Sequence, residues 1–321
     1  MSFSLDTKNE LAHIMPEKDC CRLAEVASFV RMCGIIRMND FGGEGLVMST
    51  ENPAAARHYK TLLKDCFGVG ANIVLGNKSF RKSGHIYDIC VDDEAEAERV
   101  LREIGILVFN GTRDGMNDGL SDALLKTKCC RKACLRGLFL GAGTLSDPER
   151  GYHIEIVCGS EELAADVKRI FNSFIDIHAK TVERKQRFVV YIKDSEQIKD
   201  ILTLMGAHRQ LLKFENVRIL KEMRNKANRL SNCDNANLDK LVQAAERQII
   251  GIEKLLLNNE LKKMPEELAD LAELRLENPS ASLSEIGEMM DPPMNKAGVY
   301  RRLKKLEKMA ENYSNAAAKR L

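Results

Sequence analysis

Apolar residues recur at helical spacing in two stretches that are copies of one another. Residues 20–34 read CCRLAEVASFVRMCG and residues 129–143 read CCRKACLRGLFLGAG. The offset of 109 residues, from 20 to 129, is constant through the block, and each copy begins Cys-Cys-Arg and stops at a glycine, Gly34 or Gly143. A repeat at fixed offset indicates one supersecondary unit used twice. Two such copies in one chain usually pack about a pseudo-two-fold axis.

The segments after each copy agree in pattern. A short β-like run comes first, at 46–48 and at 153–158, and a helix start follows it. Two strand-like segments come next, and a last helix ends at Gly105 or Gly206, as suits a helix C-cap. The strand-like segments are 71–75 and 85–91 in the first half and 177–182 and 187–192 in the second. Each half therefore predicts the order αββαββα, with repeats at about 18–108 and 127–207.

The C-terminal third predicts short helices. In residues 282–310, Ser282 and Glu285 form an S-x-x-E capping box before an apolar helix, and a proline pair then breaks that helix. Asn295 is placed to N-cap the next helix, whose inward stripe is Val299, Leu303 and Leu306. With an upstream helix at 266–277, this pattern is typical of a helix-turn-helix. The fold class expected is α+β, with a duplicated domain at 1–230 and an all-α domain at 231–321 that holds a helical linker and the helix-turn-helix.

The segment that connects these two domains is rich in asparagine. Five of them lie within residues 224–245, and asparagine side chains compete with helical backbone for hydrogen bonds. This predicts a break near residues 231–237, with Asn235 or Asn237 starting the next helix and a bend between the domains.

The αββαββα order with a glycine-ended motif helix resembles the LAGLIDADG homing-endonuclease fold. The resemblance implies that the two motif helices pack face to face and that two sheets form a saddle over the major groove of DNA. Small residues are expected to let the helix backbones approach closely; they are Ala27, Ser28, Gly34, Gly137, Gly141, Ala142 and Gly143.

The carboxylates of that nuclease family are missing. LAGLIDADG nucleases place an acid just before the final glycine of each helix, to hold the metal that activates the nucleophile. Those positions are Cys33 and Ala142 in this chain, and neither is an oxygen ligand for magnesium. Asp40 and Asp147 lie just beyond the helices and are interpreted as ordinary loop carboxylates. We therefore expect a nuclease scaffold without a catalytic residue, and no enzyme.

Four strings resemble the WhiA family, in the order expected for it. They are SFSLDTKNELAHI (2–14), NRLSNCDNANLDK (228–240), PEELADLAELRLENP (265–279) and GVYRRLKKL (298–306). The resemblance implies a degenerate LAGLIDADG domain joined to a C-terminal helix-turn-helix. It further implies a DNA-binding transcription regulator of bacterial cell division and chromosome segregation, or of sporulation in actinobacteria.

The last helix carries the expected DNA contacts, with one departure from the family. Members commonly read SKSGVNHRL in the recognition helix, whereas residues 295–303 read NKAGVYRRL, so Tyr300 and Arg301 replace an amide and an imidazole. Because arginine prefers guanine and amides prefer adenine, base preference is expected to differ. The predicted DNA-binding residues are Ser284, Asn295, Lys296, Ala297, Tyr300, Arg301, Arg302, Lys304 and Lys305.

Positive charge is concentrated in the C-terminal segment that contains the last helix, as expected for DNA binding. The whole chain has a formal net charge of only +2, but residues 295–321 hold eight Lys/Arg against two Glu. Phosphate binding needs such local clustering. A second basic run, 209–229, also fits an ordinary solvated helix face. The partner expected is double-stranded DNA, with another regulatory protein as a further possibility and no membrane.

The ten cysteines bear on compartment and on metal. With no export signal, they point to reduced thiols in the cytoplasm, in a nucleoid-associated protein. Cys20-Cys21 and Cys129-Cys130-Cys134 head the two motif helices and raise one metal hypothesis. There is no C-x-x-C pair, so buried thiols are the preferred interpretation, and no metal or cofactor is expected.

Three functions remain open. The leading hypothesis is a non-catalytic DNA-binding regulator that uses both domains. The second is a residual nuclease, against which Cys33 and Ala142 speak. The third is a protein-interaction scaffold, in which the first domain binds another regulator and only the helix-turn-helix contacts DNA.

Overall fold

The structure is a computed structural model that describes residues 2–38, 44–76, 85–109 and 114–318. The side chains of Asp114, Lys262 and residues 313–318 lie outside that description, as do Asp40 and the basic pair Lys319-Arg320. The chain divides into two compact units, Met1–Lys221 and Glu222–Leu321. Among the described helices, none has the length and apolar character needed to span a lipid bilayer.

The first unit confirms the predicted duplication. After the N-terminal helix α1 (Phe3–Leu11), both halves follow the order αββαββα. The first half comprises α2 (Asp19–Cys33), β1 (Gly34–Met38), β2 (Glu44–Thr50), α3 (Pro53–Phe67), β3 (Asn72–Gly76), β4 (Ile86–Val91) and α4 (Glu94–Glu103). A small pair, β5 (Leu107–Phe109) and β6 (Asp114–Met116), lies in the connection. The second half comprises α5 (Lys128–Ala142), β7 (Gly143–Leu145), β8 (Ile154–Cys158), α6 (Glu161–Asn172), β9 (Lys180–Arg184), β10 (Arg187–Ile192) and α7 (Ser195–Met205).

The two halves form antiparallel sheets of the same topology. Strand order is β1-β2-β4-β3 in one and β7-β8-β10-β9 in the other. One face of each sheet packs on the core because apolar residues alternate along the strands. Leu46, Met48 and Ile89 line that face in the first sheet and are almost fully buried, as are Ile154 and Ile156 in the second.

Local signals explain where the outer helices begin and end. The Asn52 side chain accepts hydrogen bonds from the amides of Ala54 and Ala55 and so starts α3. The same helix stops at Gly68, whose φ of 66° is left-handed. Helix α7 stops in the same way at Gly206, with φ of 93°. Glycine at these positions avoids the steric cost of a side chain at positive φ.

Helices α2 and α5 pack against each other along their length at the centre of the unit. A Cβ atom at Gly137 would lie 2.2 Å from Ser28 Oγ, and one at Gly141 would lie 2.7 Å from Met32 Cβ. Neither distance is possible between real atoms, so only glycine permits this backbone approach. The prediction that small residues line this helix pair is confirmed at Ser28, Gly137 and Gly141.

A buried ion cluster ties the two halves together. The Glu25 carboxylate on α2 is fully buried and accepts hydrogen bonds from Arg136 Nε on α5 at 2.9 Å and from His58 Nε2 on α3 at 3.0 Å. Arg136 also lies 3.5 Å from the Met205 carbonyl, at the end of α7. Three helices therefore meet at one carboxylate, and a fourth, α7, contacts the arginine that pairs with it.

The second unit is helical. It contains the greater part of α8 (His208–Leu257), followed by α9 (Glu266–Glu277), α10 (Leu283–Met289) and α11 (Lys296–Ala318). Its core joins the C-terminal end of α8 to the three shorter helices. The buried residues are Ile252, Leu255, Leu261, Leu268, Leu271, Ala272, Ile286, Met290, Val299, Leu303, Leu306 and Ala310.

The predicted break at 231–237 is wrong, because α8 is one helix of 50 residues. The asparagines are exposed, so water satisfies their side chains without interrupting the backbone. Each costs at most about 0.7 kcal/mol in helix propensity relative to alanine. No proline and a single glycine, Gly251, occur in the whole helix. Asparagine alone is therefore too weak to end it.

We expect Glu25→Gln to destabilise the protein by about 3–5 kcal/mol, because it leaves the Arg136 guanidinium inside the protein without a charged partner. The measurement is urea unfolding followed by circular dichroism. Glu98→Gln is the matched control: its carboxylate pairs with Arg102 on the surface, and such pairs contribute about 0–1 kcal/mol. Equal midpoints for the two variants would contradict this role of Glu25.

Candidate nucleic-acid interface

The helices of the helix-turn-helix pack on one another through their inner sides. Val299 and Leu303 of α11 are fully buried against Ile286 of α10 and Leu271 of α9. Since buried positions 299, 303 and 306 lie three or four residues apart, one face of α11 points inward and the other is left to solvent. This is the predicted register.

The capping contacts that begin α10 and α11 form as the sequence predicts. Ser282 Oγ accepts from the Glu285 amide at 3.3 Å while the Glu285 carboxylate accepts from the Ser282 amide at 2.7 Å, which completes the capping box. Asn295 Oδ1 accepts from the Gly298 amide at 2.8 Å and so N-caps α11. A Cβ at Gly287 would lie 2.2 Å from the Met294 carbonyl oxygen, so glycine allows α10 and the turn to meet.

The outer face of α11 gathers the predicted contact residues. Lys296, Tyr300 and Arg301 are exposed, and Lys304 Nζ lies 3.4 Å from Tyr300 Oη and 5.5 Å from the ring centre. The structure thus places an aromatic ring and several cations on one solvent-facing surface, which we call the α11 basic face. Its exposed members are Asn295, Lys296, Ala297, Tyr300, Arg301, Lys304 and Lys305. Ser284 is exposed at the start of α10.

Arg302 differs from the other predicted contact residues. Its side chain is about one-third exposed and forms an ion pair with Glu267 of α9. This contact joins α11 to the preceding helix, so Arg302 has an intramolecular role that sequence spacing did not indicate.

Two cations of the basic run 209–229 form contacts within the first unit. Arg218 is mostly buried and pairs with Glu196 and with Glu215, in the latter case at 2.9 Å. Lys221 donates to the Pro148 carbonyl at 2.6 Å. The remaining charges of this run lie on the exposed part of α8, as the solvated-face interpretation predicts.

The positions at which LAGLIDADG nucleases carry an acid hold a thiol and a methyl group in this chain, and neither is an oxygen ligand for magnesium. Cys33 and Ala142 are the last residues of α2 and α5, as predicted. Burial lowers the pKa of Lys8 on α1, and Cys33 and Glu51 act on it in the opposite direction. Burial raises the pKa of the Cys33 thiol, so a neutral thiol is favoured there.

Helix α1 covers part of this region. The Leu145 amide donates to Ser4 Oγ at 3.2 Å, and Ser4, Lys8 and Ala142 line a common cleft of about 580 Å³. Asp147 Oδ1 accepts from the Glu149 amide at 2.9 Å in a turn, which is the ordinary loop role predicted for it. Asp40 lies outside the described residues. Lys8 was not predicted as a site residue, since nothing in its local sequence connects it to residue 33.

The sheet face turned away from the core carries few charges in the first sheet, whereas in the second sheet it carries Lys180, Arg184 and Arg187. In the first sheet, Ile35 pairs with Val47, and Val74 pairs with Asp88, which accepts a hydrogen bond from Ser49. Arg37 is the one cation among the described residues of that face. In the second sheet a row of valines crosses β8, β10 and β9, with charged residues at its margins; the row is Val157, Val189 and Val182. Neither face carries a continuous basic stripe over the strands described.

Four thiols meet at the opposite ends of the central helices. The Sγ atoms of Cys20, Cys21, Cys129 and Cys130 all lie within 4.8 Å of one another. Cys134 is not part of the group and is buried in the main core. A hydrogen bond from Thr127 lowers the pKa of Cys129 to about 7, helped by Cys21, whereas burial raises the pKa of Cys21.

Family models cover most of the chain in three parts. The WhiA N-terminal LAGLIDADG-like domain matches residues 19–107, and the WhiA LAGLIDADG-like domain matches residues 131–224. The WhiA C-terminal HTH domain matches residues 227–310.

Relatives and a solved structure agree with these matches. The probable cell division protein WhiA of Heliobacterium modesticaldum is 43% identical over 314 residues, which are 98% of this chain and 97% of the relative. The protein of the same name from Alkaliphilus oremlandii is 43% identical over 314 residues, 97% of each chain. The crystal structure of full-length DUF199/WhiA from Thermotoga maritima shares the fold, with a TM-score of 0.57, 24% identity, and coverage of 97% of this chain and 99% of that one. With a duplicated LAGLIDADG-like unit followed by a helix-turn-helix, this chain belongs to the WhiA family.

Proposed function

We propose that this protein is a non-catalytic, DNA-binding transcription regulator that acts in bacterial cell division. The α11 basic face carries the proposal. Its inner side is locked by a packed core, and its outer side presents Tyr300, Arg301 and Lys304 to solvent. A helix held in this way by two others is what major-groove recognition requires. The close relatives are named probable cell division proteins, which supports the cellular role.

We assign each side chain of the proposed interface to a base or to a phosphate from its chemistry. Arg301 is the best candidate for base recognition, because a guanidinium can donate two hydrogen bonds to guanine. Lys304 and Lys305 suit phosphates, as do the helix N-terminus at Lys296 and the exposed Ser284. Arg302 supports the geometry through Glu267 rather than reading bases. Location at the nucleoid, and a part in chromosome segregation or sporulation, are finer proposals that the family resemblance suggests.

The absence of nuclease activity belongs to the same proposal. Metal-assisted cleavage needs oxygen ligands close to the scissile phosphate. The two helix ends supply a thiol and a methyl group, with Lys8 beside the thiol. The first unit therefore serves as a scaffold.

A second candidate function is favoured by the outer face of the first sheet. On the first of the two sheets that grip DNA in the homing-endonuclease fold, this chain presents Ile35 and Val74, each about half exposed, and Arg37 is the one cation on that face among the strands described. DNA backbones attract positive surfaces, whereas exposed apolar patches are typical of protein–protein contacts. In this alternative the first unit binds another regulatory protein and only the second unit contacts DNA.

We expect Arg301→Ala to weaken specific DNA binding by about 10- to 100-fold and to relax one base position, since an arginine–guanine pair contributes about 1–3 kcal/mol. The measurement is fluorescence anisotropy on an operator selected from random sequences. Lys254→Ala, which removes an exposed cation from α8 in the same unit, is the matched control and should leave affinity nearly unchanged. Equal affinity and equal base preference for both variants would exclude this register.

We expect no phosphodiester cleavage by the pure protein with magnesium or manganese. Supercoiled plasmid should stay intact on agarose gels over hours. Installing carboxylates through Cys33→Asp with Ala142→Asp is expected to restore no efficient turnover, because Lys8 and the placement of the strands are unchanged. Metal-dependent nicking by the wild-type chain that is lost in Asp147→Asn would overturn the assignment.

Salt titration of DNA binding tests whether the first unit contacts DNA in addition to the second unit. Residues 238–321 retain the entire core of the second unit and are expected to bind DNA on their own. If the first unit also contacts the duplex, the full chain binds more tightly, and the slope of log affinity against log salt steepens by roughly 0.9 per added phosphate contact. Matching slopes and affinities for the two proteins would favour the protein-scaffold alternative.

A further inference from the structure

We propose that Cys20, Cys21, Cys129 and Cys130 form a mononuclear, tetrahedral Zn²⁺ site that clamps the N-terminal ends of α2 and α5. The four Sγ atoms lie within 4.8 Å of one another. Zn–S bonds of about 2.3 Å place the sulfurs of a tetrahedral site about 3.8 Å apart. The observed group therefore needs only a small contraction around an ion, and it is too tight for a larger iron–sulfur cluster.

The position of the cysteines is a product of the duplication. Cys20 and Cys21 are the second and third residues of α2, and Cys129 and Cys130 are the second and third residues of α5. Each pair is the image of the other at the repeat offset of 109 residues. Because α2 and α5 pack against each other, the two dipeptides face one another at one end of the helix pair. The Cys-Cys dipeptide occurs once in each repeat, so the two copies together supply all four ligands.

The surroundings suit four thiolates and one ion. Cys21 and Cys130 are buried with Ala24 and Ala133 in a small cluster of their own, whereas Cys20 is exposed, so the cluster shields the site from water on one side. Both cysteine pairs lie in the first turn of a 15-residue helix, where free backbone amides and the helix dipole stabilise negative charge. A Zn²⁺ ion with four thiolates carries a net charge of −2, so this placement matters. Thr127 Oγ1 lies 3.1 Å from Cys129 Sγ and 2.9 Å from Cys130 Sγ, a polar contact of the kind that orients ligands.

The first experiment is metal analysis of the full chain, purified under reducing conditions without a metal-affinity tag or chelator. Native mass spectrometry and elemental analysis should give one zinc per chain. After exchange, Co²⁺ should show the visible bands of tetrahedral tetrathiolate coordination. Cys20→Ser with Cys129→Ser alters the two least buried ligands and should weaken zinc binding by more than about 100-fold, given how strongly structural zinc is held. Cys66→Ser with Cys233→Ser removes two thiols elsewhere and should retain the metal.

Thermal unfolding by circular dichroism provides the second readout. A strong chelator should lower the melting temperature of the wild type and of the Cys66/Cys233 control, and should leave that of the Cys20/Cys129 variant unchanged. A native circular dichroism spectrum for that variant shows that metal loss is not caused by misfolding. Metal-free wild-type protein, zinc retained by the Cys20/Cys129 variant, a different stoichiometric metal, or a mass that indicates two cross-helix disulfides would each overturn the proposal.

Discussion

The close approach of α2 and α5 is the constraint on which the rest of the first unit depends. Gly137 and Ser28 bring the two backbones together, and that proximity places the Glu25 carboxylate within reach of Arg136. The same contact brings the cysteine pairs together at one end of the helices, while Cys33 and Ala142 lie at the other end. A larger residue at 137 would separate the helices and disturb all of these features at once.

Much of this architecture can be predicted from the sequence, because short segments determine where its helices and strands form. Capping residues such as Asn52 and Ser282, and the buried periodicity through Val299 and Leu303, predict both the αββαββα order and the helix-turn-helix. The candidate DNA face follows from the same register. The continuous α8 was missed because exposed asparagines weaken a helix only slightly, and local patterns overstate their effect.

Features that join distant segments were harder to predict. Cys20 and Cys129 are far apart in the chain, and no local spacing signals a shared site; only the repeat offset hints at one. Lys8 reaches Cys33 from a helix outside the duplication, and Arg302 pairs with Glu267 across the helix-turn-helix. Each of these contacts depends on tertiary packing rather than on the propensity of its own segment.

The Glu25–Arg136 pair also makes the two halves unequal. At the repeat offset of 109, the counterpart of Glu25 is Cys134 and the counterpart of Arg136 is Ala27. Two copies of the first half would bury two carboxylates opposite alanine, each with only His58 as its partner, and two copies of the second would bury two guanidinium groups opposite cysteine. Each half therefore supplies one member of a charge pair that the other half completes, so the two halves have become chemically complementary rather than interchangeable.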